Sequence, residues 1–67
     1  MSEPRRANIL GLGLIGGSLG LALRDRGWYV TGDDLRPERA EEATTRGVID
    51  AIGLDPAADV TVVAAPV

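Results

Sequence analysis

Apolar and polar positions change their period several times along the chain, and each change falls at a glycine or a proline. Ala7 to Leu10 is a short apolar run that stops at Gly11. Four such residues alone suit a buried parallel strand or a piece of helix equally well. The segment that follows decides between them: from about Leu14 to Arg26 the apolar residues Ile15, Leu19, Ala22 and Leu23 recur at helical spacing. Gly27 then stands where a left-handed residue closes a helix. The pattern predicts a strand, a glycine turn and a helix.

Trp28 to Gly32 is rich in aromatic and β-branched residues and directly follows the helix stop, so it reads as a second strand ending at Asp33 and Asp34. Pro37 opens a second helix, because its missing amide costs nothing in a first turn, and Glu38 lies near the positive end of that helix. Ala40 and Ala43 give the helix a thin apolar face, Glu42 and Arg46 are spaced as an i,i+4 ion pair, and Gly47 ends it. Val48 to Ile52 is expected to hold a brief third strand. Asp55, Pro56 and Ala57 read as an N-cap followed by one helical turn. Val60 to Ala64 reads as an uninterrupted strand of the central parallel kind, closed by Pro66. Alternating strands and helices predict a parallel α/β unit with strand order 3-2-1-4.

Composition narrows the chemistry. The 67 residues include no cysteine and no histidine, so no disulfide, no thiolate or imidazole metal site and no Cys/His or Ser/His pair can be built from them. A net charge of −3, with arginines scattered from Arg5 to Arg46 and forming no stripe, argues against nucleic acid as partner. Arg5 and Arg6 precede a mostly apolar run, Ala7 to Leu23, with small residues four apart at Gly13/Gly17 and Gly16/Gly20, as in a signal or membrane anchor. That run is at the short limit for a span, contains Asn8 and Ser18, and ends in Arg24, Asp25 and Arg26 without a cleavage site. The glycines have a better explanation.

Gly11, Gly13 and Gly16 occupy the three fixed positions of GxGxxG, between a predicted strand and a predicted helix. The first permits a tight turn, the second lets a pyrophosphate approach the main chain, and the third lets helix and strand pack closely. The amides of Leu14 and Ile15 would then face the anion from the helix N-terminus. An acidic residue at the end of the next strand, Asp34 or alternatively Asp33, is placed to accept hydrogen bonds from an adenosine ribose. Its charge would oppose the extra phosphate of NADP. Two like charges about 4 Å apart repel by roughly 4 kcal/mol at an effective dielectric of 20, about a thousandfold in affinity, so NAD is the expected cofactor. Arg36 could soften the preference by pairing with a 2'-phosphate. Ala65 and Pro66 would fall at the carboxyl edge of the sheet and line the cofactor cleft. Trp28 and Tyr29 are read as packing residues. The expected fold is thus Rossmann-type, a parallel sheet with flanking helices, of which residues 1–67 form the amino-terminal portion.

The wording NILGLGLIGGSLGLAL, then VTGDD with RPE, then RGVIDAI and ADVTVVAAPV, resembles the start of prephenate dehydrogenases from Ala7 onward. The resemblance implies a cytoplasmic enzyme of tyrosine biosynthesis that oxidatively decarboxylates prephenate to 4-hydroxyphenylpyruvate, passing a hydride to NAD. It carries the family's glycine turn to Gly11, Gly13 and Gly16, and its ribose-binding acid to Asp34, with Asp33 standing where the family more often has an apolar or aromatic residue. The family's catalytic histidine, substrate-binding arginine and helical dimerisation domain are expected beyond Val67, in a parent enzyme that is a homodimer. No catalytic residue and no metal ligand is therefore expected on this chain, and the fragment alone is expected to be inactive. Two alternatives stay open: a dehydrogenase of similar architecture acting on arogenate or a 3-hydroxyacid, and a non-catalytic NAD-sensing module.

Overall fold

A computed structural model of the chain describes residues 3–64. Its elements run β1 (Arg6–Leu10), α1 (Leu14–Asp25), β2 (Tyr29–Asp33), α2 (Pro37–Thr45), β3 (Ala51–Ile52) and β4 (Val60–Val63). All strand pairs are parallel and the sheet order is β3-β2-β1-β4, the Rossmann-type arrangement expected from the sequence. The helix stops fall where glycine was read as a terminator. Gly27 has φ +86° and Gly47 φ +75°, left-handed conformations that a side chain would strain.

The pleat sorts the sheet into two unlike faces. Ala7, Ile9 and Val30 are buried on the helix side, where Leu12, Ala40, Ala43, Val48 and Ile49 complete the core and Leu19, Leu23 and Trp28 pack against it. The thin alanine face of α2 is enough because the helix lies close over the sheet. On the opposite face, register brings Thr31, Asn8 and Thr61 into one row across β2, β1 and β4. Asn8 and Thr31 are buried there and need partners. The Asn8 amide donates to the Asp55 carbonyl at 2.9 Å and to the Thr61 hydroxyl at 3.2 Å, while the Asn8 oxygen accepts the Asp55 amide at 2.7 Å and the Thr31 hydroxyl.

That network corrects one expectation. Pro56 and Ala57 form a turn rather than a helical turn. Both main-chain groups of Asp55 are held by Asn8. Its carboxylate accepts the Ala57 amide at 2.8 Å and pairs with the Arg6 guanidinium at 2.9 Å. The Asp59 amide donates to the Arg6 carbonyl at 2.8 Å, which draws the chain straight into β4. In the order β3-β2-β1-β4 expected from the sequence, β4 is the outermost strand among the described residues, with Val60 45% and Val63 70% exposed.

The third strand is only two residues long for a visible reason. Before it begins, the Asp50 carboxylate accepts the β2 amide of Val30 at 2.7 Å and pairs with Arg24 of α1 at 3.0 Å. Val48 and Ile49 turn into the core in the same stretch. The Gly47 to Asp50 phrase therefore fastens β2, α1 and the core at one point.

Candidate functional site

The glycine-rich turn is shaped by what a methyl group would strike. Gly11 has φ +97°, the left-handed bend that turns the chain from β1 toward α1. A Cβ on Gly16 would stand 1.9 Å from the Gly11 carbonyl oxygen and 3.2 Å from Ile9 Cγ2, so glycine there is what lets α1 lie against the turn. Gly20, one turn on, would meet the Val48 carbonyl at 2.6 Å. Of the two pairs of small residues four apart, Gly16 and Gly20 thus face the sheet and the Val48 loop, while Gly17 faces open space. No helix among the described residues is long and apolar enough to cross a membrane.

Gly13 is different. Among the described residues a Cβ there would meet only Arg39 Nη1, at 3.6 Å, an ordinary contact, so no packing among them calls for glycine. Its missing side chain leaves the main chain open from outside. Gly13 caps α1 without a side-chain bond, and the first helical bond runs from the Gly17 amide to the Gly13 carbonyl at 2.8 Å. The amides of Leu14, Ile15 and Gly16 are left to point out of the helix end. No acidic residue sits in that first turn to neutralise it.

A cavity of about 630 Å³ lies over this turn, lined by Gly11, Gly13, Leu14, Ile15, Asp34, Leu35, Arg36, Arg39 and Ala64. It brings together most of the residues singled out from the sequence. Gly16 is buried behind the turn and acts through packing; Ala65 and Pro66 lie outside the described residues. Of the two neighbouring aspartates, Asp34 faces the cavity. Asp33 accepts the Asp34 amide at 2.8 Å through its carboxylate, and its carbonyl accepts the Gly11 amide at 2.9 Å. Trp28 packs against the core, as expected, with Arg5 5.8 Å from its ring centre, and the half-buried Tyr29 lies 5.1 Å from Arg6.

Asp34 does more than the sequence indicates. One carboxylate oxygen accepts the Leu12 amide at 2.8 Å and the other the Arg36 amide at 2.9 Å, joining the glycine turn to the turn before α2. These two bonds, Leu12 first, hold its carboxyl below the usual range, and the charges of Arg39 and Arg36 add to the effect. A carboxylate has about four acceptor positions, so two main-chain donors leave room for ribose hydroxyls.

Arg39 was not singled out from the sequence. It lines this cavity and a smaller one of about 270 Å³ between α1 and α2 that Leu12, Glu42, Arg46 and Val48 help to form. The available signal was its spacing, three residues after Arg36 in the first turn of a helix opened by Pro37.

No family profile and no curated protein matches the chain. Among solved structures, the crystal structure of Synechocystis arogenate dehydrogenase matches it with a TM-score of 0.84 and 34% identity, over 91% of this chain. The match covers 23% of that longer protein.

Proposed function

We propose that this chain holds the adenosine and pyrophosphate of NAD for an oxidoreductase, a reading supported by its likeness to part of the Synechocystis arogenate dehydrogenase. The observation that carries this reading is Gly13: a bare main chain with no packing reason to be bare, set at an uncapped helix end. Such an end attracts a phosphate group. A Cβ at Gly13 would occupy the approach that the pyrophosphate needs, so the cradle fits the group. Gly11 and Gly16 shape the turn, the Leu14 and Ile15 amides face the anion, and Asp34 accepts from the ribose. NAD is favoured over NADP because Asp34 places a negative charge where the 2'-phosphate would sit. Arg36, Ala65 and Pro66 complete the proposed adenosine contacts.

The nicotinamide, when bound, supplies a hydride acceptor. On this reading the parent enzyme is a cytoplasmic homodimer that converts prephenate to 4-hydroxyphenylpyruvate, its substrate groups supplied by a further domain. Arogenate is the second reading, favoured by the name of the matched structure. Both substrates demand the same service from this chain: a dinucleotide held in one orientation.

The test is calorimetric titration of NAD into folded protein, native and Gly13→Val. Native protein binds and the variant, folded by circular dichroism, loses binding by about tenfold or more. Equal affinity in both would remove the glycine turn from the site. Following NADH absorbance with prephenate and then arogenate, in the parent enzyme, separates the two substrates.

A further inference from the structure

Arg39 is an exposed cation on the first turn of α2. Its guanidinium is held over the start of α1, with Nη1 3.6 Å from the position a Gly13 Cβ would take. That position lies on the approach assigned above to the pyrophosphate, so the cation stands at the phosphate end of the larger cavity. Among the described residues the ion pairs are Arg6 with Asp55, Arg24 with Asp50 and Arg46 with Glu42, and none includes Arg39. Arg39 also lines the smaller cavity between the helices, which leaves its side chain room to turn. Charge gives it a task. The uncapped end of α1 contributes about half a positive charge, while a pyrophosphate linker brings about two negative ones. Asp34, the one carboxylate lining the larger cavity among the described residues, adds to the negative side, and Arg36, whose amide it holds, can do no more than offset it. The helix end alone is too weak a counter-charge.

We propose that Arg39 is a pyrophosphate-binding residue: its guanidinium donates to a phosphate oxygen from the α2 side, while the Leu14 and Ile15 amides hold the same linker from α1. The inference rests on the dinucleotide reading and adds to it a contact that the glycine turn does not supply. A guanidinium meets phosphate oxygens through a planar fork, and such charge-assisted bonds are roughly twice as strong as neutral ones. The linker would then tie the first turns of α1 and α2 together, with Gly13 bare so that it fits between them. Because the contact falls on the part of the ligand that NAD and NADP share, its loss weakens both alike. Adenosine, which carries no phosphate, is spared.

The experiment titrates NAD, NADP, ADP and adenosine separately into the native protein, Arg39→Gln and Arg39→Lys by calorimetry. In Arg39→Gln the affinities for NAD, NADP and ADP should each fall about tenfold, the worth of one charge-assisted contact, while that for adenosine stays within about threefold. Arg39→Lys, which keeps the charge, should lose no more than about threefold for any of them. Added salt should weaken NAD binding less steeply in the glutamine variant than in the native protein. Urea midpoints of the three proteins should coincide, because Arg39 is exposed and in no ion pair among the described residues. A glutamine variant that binds NAD as tightly as the native protein, that loses NADP alone, or that loses adenosine in the same proportion overturns the inference while leaving the dinucleotide reading intact. If neither dinucleotide binds the native protein, the dinucleotide reading itself fails.

Discussion

The Asp34 carboxylate accepts the Leu12 amide at 2.8 Å, so the residue proposed to meet the ribose also holds the turn that is to meet the pyrophosphate. Site shape and cofactor contact are thus coupled through one side chain. Asp34→Ala should lower NAD affinity by about tenfold or more and, by leaving two main-chain amides without their acceptor, lower unfolding stability by about 1–3 kcal/mol. Calorimetry and urea unfolding on the same sample measure both. A variant that lost affinity at unchanged stability would show that the latch contributes nothing to the fold.

Two adjacent glycines should respond oppositely to the same substitution. Gly16→Ala forces a methyl to within 1.9 Å of the Gly11 carbonyl unless the helix moves, and should cost about 1–3 kcal/mol or more. Gly17→Ala meets nothing within 4 Å and should stabilise α1 by about 0.5–1 kcal/mol. Paired denaturant curves decide this, and equal effects would contradict the packing described.

Asn8→Leu removes the acceptor of the Asp55 amide, one of the two donors to the Asp55 carbonyl, which keeps the Ala58 amide at 3.1 Å, and one partner of the Thr31 hydroxyl. A loss of about 1–3 kcal/mol is expected, read from the urea midpoint. Amide exchange should speed up from Asp55 to Asp59, the loop that Asn8 anchors.

Acid should unfold the protein partly through two carboxyls. Asp34 and Asp55 are both held below the ordinary value of 3.8, Asp34 chiefly by the Leu12 amide and Asp55 chiefly by the Ala57 amide, with the Arg6 hydrogen bond next. A carboxyl whose folded value is depressed stabilises fully above its unfolded value and loses that contribution as pH falls through the folded one. Stability should therefore be flat with respect to these groups at neutral pH and fall below about pH 4. Replacing both with asparagine should flatten the acid limb in a series of urea midpoints. An unchanged acid limb would assign acid unfolding to other carboxylates.

Features set by neighbouring residues were legible in the sequence. The positions of Gly11, Gly27 and Gly47 mark turns because the left-handed bend is local, and the strand order follows from the alternation of elements around them. The distance from the glycine turn points to Asp34, with Asp33 as the alternative, and of the two it is Asp34 that lines the cavity. What stayed hidden depends on partners far along the chain. Asn8 bonds Asp55 across 47 positions, and that bond turns an expected helical turn into a loop. Leu12 and Asp34 lie 22 apart, so the commitment of the carboxylate to main-chain amides has no local signature. Arg39 is one of seven cations in the sequence, and only the fold sets it over Gly13.

Among the described residues no strand pairs with the outer side of β4, and Val63 is largely exposed beside it. Any strand that zips onto that margin would shelter valine and amides in one step, so part of the cohesion of this sheet is on loan from whatever lies alongside. Deuterium uptake at Val60 to Val63 is accordingly a sensitive gauge of such an addition, slowing when a neighbour arrives while the amides of β1 hardly change.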